Sequence, residues 1–260
     1  MNEQSERARL AAAIDVIHLR FGEQALARVD RLPEIESWPS AVPALDRLTG
    51  IDGLPRGRLS VLAGRGTCGK TSLGMAVLAA ATRDFSTAVV IDAGGSFDPW
   101  SLAAFGAEFQ ALTVVRPPAG DAVATGEAAA ALARAGAGFM LLQLPARVAA
   151  GAEPWLALLC SAAEKSSCVV VAVVEETSKP LAHAASTTIA VERTGWLFER
   201  GELLGLRMRL ECVKNKLATP GRSAVLEMRY PLGPGHAIER SLVEVEVGVE
   251  WEVAPAFAVV

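Results

Sequence analysis

Gly64-Arg65-Gly66-Thr67-Cys68-Gly69-Lys70-Thr71 fits the pattern GxxxxGK[ST], and the residues on either side of it decide the fold. The stretch before it, RLSVLA over 58–63, is a short apolar run that predicts a strand. The stretch after it, 71–82, predicts a helix. Strand, glycine-rich loop and helix in that order form the setting in which this motif holds phosphate. The glycines let the backbone wrap an anion, while the helix start offers free N–H groups and a positive dipole end. Lys70 is expected to reach the β- and γ-phosphates, and the Thr71 hydroxyl to bind Mg²⁺. Gly64 to Ser72 is thus the expected nucleotide-binding segment, with a chance glycine-rich turn as the competing reading.

Working outward, the apolar runs 87–92 (TAVVID), 112–116 (LTVVR), 139–144 (FMLLQL) and 168–174 (CVVVAVV) are interspersed with helical stretches over 122–135 and 155–164. Strands this uniformly apolar, separated by helices, predict a parallel sheet covered on both faces. Beyond 177, the runs TTIAVERT, LGLRMRLECVKN, SAVLEMRY and LVEVEVGVEWEV alternate with period two and predict antiparallel strands that extend the same sheet. The fold class is α/β: a P-loop core with a mostly parallel central sheet, helices on both faces and antiparallel strands toward the C-terminus.

Near the N-terminus, Leu10, Ile14, Ile17 and Phe21 recur every three or four residues, which predicts an amphipathic helix stopping at Gly22. A polar, proline-containing connector follows over 32–43, so residues 1–43 read as an arm and 44–260 as the core. Trp155 and Trp196 are isolated and expected in the core rather than as base-stacking platforms. Arg207 and Arg209 are expected on one polar face with or near Lys214 and Lys216. The glutamates of the last run are expected in solvent.

Apolar residues make up 51% of the chain and charged residues 21%, as in a folded α/β protein rather than a disordered one. The formal charge of -4 announces no nucleic-acid binder, so DNA contact would need a local basic stripe. Cys68, Cys160, Cys168 and Cys212 have no CxxC spacing and read as buried free thiols rather than zinc ligands. The opening MNEQSERARL has no apolar signal region, and no apolar stretch reaches the length of a membrane span. A cytoplasmic protein is expected.

The segments FGEQALARV (21–29), GLPRGRLSVLAG (53–64), VIDAGGSFDP (90–99) and CVKNK (212–216), in this order, resemble the bacterial RecA recombinase family. The resemblance implies a RecA-like core that binds ATP or ADP with Mg²⁺, and an N-terminal arm that packs on a neighbouring subunit. It also implies that Lys214 and Lys216 reach the γ-phosphate of an adjacent subunit, that Asp98 contacts adenine, and that Trp100 stands near a displaced base-stacking position.

Departures from that family bear on hydrolysis. Its catalytic Glu aligns with Gly94, its Walker B Asp with Gln143, and its γ-phosphate-sensing Gln with Glu175. Glu175 or Glu176 would be the substitute base, although an acid beside the γ-phosphate repels it. The DNA loops of the family are shortened here to about 146–154 and 177–180, and its separate C-terminal domain is expected to be missing. A RecA-like core without these parts resembles the ImuA proteins, accessories of SOS mutagenesis and error-prone translesion synthesis in the DNA-damage response. That likeness implies RecA and a Y-family-like, ImuB-type polymerase homologue as partners, weak or indirect DNA contact, self-association through the arm, and a place at the nucleoid. Two further readings stand beside it: a compact DNA-dependent ATPase of recombinational repair, and a regulatory nucleotide-binding module acting away from DNA.

Overall fold

The computed structural model describes residues 3–22, 36–230 and 241–245. The chain divides into two compact units, Met1–Ile35 and Glu36–Val260. The described part of the first unit is helix α1 (Glu3–Phe21), which extends seven residues further toward the N-terminus than the apolar spacing indicated. Its apolar residues do not form one clean stripe: Leu10 and Phe21 are exposed, but so are Val16 and Leu19, and Leu19 falls on the opposite side of the helix from Leu10. Most of the FGEQALARV stretch lies outside the described residues.

The second unit begins at Glu36 rather than at residue 44. The reason is Trp38, which is buried against Phe85 and Phe139 at ring distances of 5.2 and 5.4 Å and donates its indole N–H to Asp84 at 2.9 Å. It lies on β1 (Ser37–Trp38), followed by α2 (Pro43–Thr49) and by β2 (Leu54–Pro55), which pairs antiparallel with β1. Then come β3 (Leu59–Ala63), α3 (Lys70–Asp84), β4 (Ala88–Asp92), α4 (Pro99–Ala103), β5 (Leu112–Val115), α5 (Ala122–Arg134) and β6 (Phe139–Gln143). The chain continues through α6 (Ala146–Ala150), α7 (Glu153–Ser166), β7 (Val169–Val174), α8 (Lys179–Ala184), β8 (Thr187–Glu199), β9 (Glu202–Asn215), β10 (Ser223–Arg229) and β11 (Ser241–Val245). The remainder of the last alternating run, 246–253, lies outside the described residues.

The large sheet has the order β11-β10-β9-β8-β3-β7-β6-β4-β5. From β8 to β5 the neighbours are parallel, and from β8 to β11 they form an antiparallel meander. Alternate residues of each central strand enter opposite cores, which explains the uniformly apolar runs. Val90, Leu141 and Val171 join Leu73, Met75 and Leu78 of α3 on one face. Ile91, Met140, Leu142 and Val170 join Ala129, Ala133, Trp155 and Leu159 of α5 and α7 on the other. Among the described residues, no helix is long and apolar enough to cross a membrane.

Register aligns four strand ends: Ala63 lies beside Val174, Val173 beside Gln143, and Gln143 beside Asp92. The loops after β3, β4, β6 and β7 therefore leave from one edge, where open α/β sheets hold their ligands.

The second core depends on close contact between α5 and α7. A Cβ added to Gly126 would lie 1.9 Å from Cγ of the buried Trp155. Gly126→Ala should therefore lower the unfolding free energy by roughly 1–3 kcal/mol, as expected for overpacking, read as a fall in the urea midpoint. An unchanged midpoint would contradict this packing.

Candidate nucleotide-binding site

The loop between β3 and α3 is held by positions that exclude side chains. Gly64 donates its N–H to the Val174 carbonyl at 3.2 Å, and a Cβ on it would fall 2.2 Å from the Val191 carbonyl oxygen. Gly69, the N-cap of α3, has φ +94°, and a Cβ there would meet Met208 Cε at 2.6 Å. The loop is thus gripped between the end of β7 and the middle of β8 and β9, and α3 starts at Lys70 with its first N–H groups turned toward the loop.

Lys70 is buried, and its ammonium donates to the Gly66 carbonyl at 2.9 Å. Thr71 follows on the first turn, and with Lys70 it lines a cleft of about 360 Å³ that also takes in Gly94, Ser96, Gln143 and Glu175. Thr67, Gly69, Lys70, Thr71 and Ser72 border a second cavity of about 220 Å³ whose far wall is Leu206, Met228 and Tyr230. Cys68 is buried against the core. Arg65 is exposed and pairs with Glu176.

The strand ends opposite the loop carry no free acid. Asp92 is 1% exposed, and its carboxylate accepts from Ser96 N–H at 2.8 Å, Phe97 N–H at 3.2 Å and Arg116 Nε at 3.1 Å. It shapes the 93–97 turn instead of facing the cleft. Gln143 ends β6 at 5% exposure, and neither of its side-chain polar atoms has a hydrogen-bond partner in the protein. Gly94 is not required by the backbone: a Cβ there would have its nearest neighbours, Pro145 Cδ and Ser96 Oγ, at 3.7 Å. A side chain would fit, so glycine at this position withholds a reactive group without any packing demand for it. Glu175 is exposed on the cleft wall, whereas Glu176 is engaged by Arg65.

These donors fit a phosphate better than a metal. The fold implies Mg²⁺ beside the nucleotide, and Thr71 supplies a hydroxyl for it. The facing strand, however, offers an uncharged amide, and the carboxylate next to it is already saturated by three donors. A divalent ion takes carboxylate and water oxygens by preference, so half of the expected metal set is missing.

The remaining site candidates lie away from the cleft walls. Asp98 caps α4, accepting from Trp100 N–H at 3.0 Å and from the Ser101 hydroxyl. Trp100 is 77% exposed. Lys214 and Lys216 do converge, but within the chain they meet the last carbonyls of α8. Lys214 donates to Ala182 and, at 2.8 Å, to Ala185; Lys216 donates to His183 at 2.6 Å. Burial, and then the neighbouring Lys216 charge, hold the Lys214 pKa below its usual value.

Arg207 does not share that arrangement. It is tied to Glu227 on the adjacent strand at 2.6 Å. Trp196 is 39% exposed, unlike the buried Trp155, because the β8–β9 hairpin carries it past the core and Arg193 stacks on its ring at 4.4 Å. Arg193 also donates to the Thr67 carbonyl at 2.8 Å. Cys68, Cys168 and Cys212 are buried and Cys160 is partly so, and burial pushes the Cys168 thiol up to about 12. Sequence reasoning missed Ser96, Arg193 and Tyr230. Ser96 stands inside the VIDAGGSFDP stretch and Tyr230 is the chain's single tyrosine, but only the sheet order brings Arg193 and Tyr230 to the loop.

A P-loop at the carboxyl edge of a parallel sheet, flanked by an antiparallel meander, defines a RecA-type nucleotide-binding core. The family model for the RecA N-terminal domain matches residues 8–150, more than half of the chain, and the protein belongs to that family. It is similar to RecA of Thermus aquaticus, 27% identical over 95% of this chain and 83% of that protein. It is also similar to RecA of Chlorobium limicola, 28% identical over 92% and 79% of the two chains. RecA of Xanthomonas axonopodis pv. citri is 29% identical over 96% and 82%. Among solved structures the RadB recombinase shares the fold, with a TM-score of 0.56 at 15% identity, covering 71% of this chain and 92% of that one.

Because Lys214 caps α8 within its own chain, Lys214→Met should destabilise the isolated protein by about 1 kcal/mol, measured by thermal or urea denaturation. Unchanged stability would mean that the lysine does not hold the helix in solution.

Proposed function

We propose that the protein is a RecA-family accessory of error-prone translesion synthesis, of the ImuA type. It holds ATP or ADP with little or no turnover and acts through contacts with RecA and with a Y-family-like, ImuB-type polymerase homologue, in the cytoplasm at the nucleoid. One observation supports this above all: the cleft combines a complete loop, with Lys70 and Thr71, with Gly94 and Gln143 at the two strand ends where hydrolysis needs acids. A core that keeps nucleotide binding but loses its water-activating groups suits a switch or scaffold better than an engine.

The short connections after β6 and β7, where α6 and α8 begin within a few residues, suit weak or indirect DNA contact. The pairing of Glu176 with Arg65 removes one substitute base. Glu175 on the cleft wall favours a second reading, a compact DNA-dependent ATPase with that residue as base.

The exposed apolar residues of α1 make the arm the expected docking element. In a pull-down, the full-length protein should retain purified RecA, and a version lacking residues 1–28 should not. Retention by the shortened protein would remove the arm from the interface; failure of the full-length protein to bind RecA would contradict the accessory reading.

A further inference from the structure

We infer that the cleft takes the polyphosphate of its nucleotide as the bare anion, with the Gln143 amide as a direct hydrogen-bond donor, so that binding does not require Mg²⁺. The inference rests on the nucleotide reading above and concerns how that ligand is held.

Gln143 is the starting point. It is 95% buried, and both ends of its amide lack a protein partner. Native proteins seldom leave such atoms unsatisfied, and an exception beside a cavity points to something that enters the cavity. Gln143 lines the same cleft as Lys70, Thr71 and Ser96, residues that carry an ammonium and two hydroxyls. An amide supplies two N–H donors, whereas a carboxylate in its place supplies none.

This difference governs the role of a metal. A carboxylate facing a phosphate is repelled by it and needs a cation, or cation-bound water, between the two. An amide can donate straight to a phosphate oxygen and leaves the site one negative charge poorer. The other acid of this edge is neutralised locally, since Asp92 is held by two backbone N–H groups and Arg116. Glu175 is the single acidic residue among the described residues lining the cleft, and it is exposed to solvent at the rim. The charge that Mg²⁺ would otherwise balance is therefore largely absent from the protein side.

The test is a titration of full-length protein with fluorescent ATP, with either Mg²⁺ or EDTA present. The wild-type Kd should differ by less than about threefold between the two conditions, a small shift in binding free energy. Gln143→Glu, which keeps the shape and adds the charge, should bind at least about tenfold more weakly in EDTA than in Mg²⁺. Gln143→Leu, which keeps the core apolar and removes the donor, should lose about tenfold in affinity under both conditions. A wild-type affinity that collapses in EDTA, or a Gln143→Leu affinity equal to wild type, overturns the inference and leaves nucleotide binding intact. Absence of ATP and ADP binding under both conditions instead overturns the nucleotide reading itself.

Discussion

Gly64 has no room for a side chain, and much of the site follows from that. The carbonyl of Val191 on β8 occupies the space a Cβ would need, while the carbonyl of Val174 on β7 accepts the Gly64 N–H. The loop is thereby anchored to both neighbours of β3, and the start of α3 is aimed across the ends of β7 and β6. Sheet order then decides what the loop faces. Because β6 and β4 lie beyond β7, residues 143 and 94 come to line the same cleft as Lys70 even though they are far from it in sequence.

The same geometry separates binding from hydrolysis. The loop and the first turn of α3 carry the binding elements, and the loop is held by its own contacts with β7, β8 and β9. The hydrolytic positions belong to other strands and can change without disturbing the loop. At the two positions that the RecA resemblance assigns to hydrolysis, Gly94 leaves space that no neighbour requires, and Gln143 keeps a polar end where a hydrophobic residue would have packed more cheaply. Asp92, at the end of β4, is part of the scaffold of the 93–97 turn.

Much of this was legible in the sequence because it is local. The β3–loop–α3 unit, the apolar central strands and the alternating late strands each follow from spacing alone. What was not legible depends on partners that only the sheet order supplies. Trp196 reads as a core residue until the β8–β9 hairpin leaves it partly exposed, and the α8 carbonyls that Lys214 and Lys216 meet come within reach only through the fold. Short elements such as α2 and α8 offer too few turns for a periodicity signal. The arm boundary moved from 43 to 35 because a single buried aromatic, Trp38, ties the intervening residues to the core.

The separation of binding from hydrolysis is tested most directly by a single-turnover measurement. Protein saturated with γ-labelled ATP is followed for phosphate release, with and without single-stranded DNA. The expected result is stoichiometric binding with the bound ATP recovered intact in both conditions. DNA-stimulated phosphate release approaching that of RecA would contradict it and restore the reading of an ATP-driven enzyme.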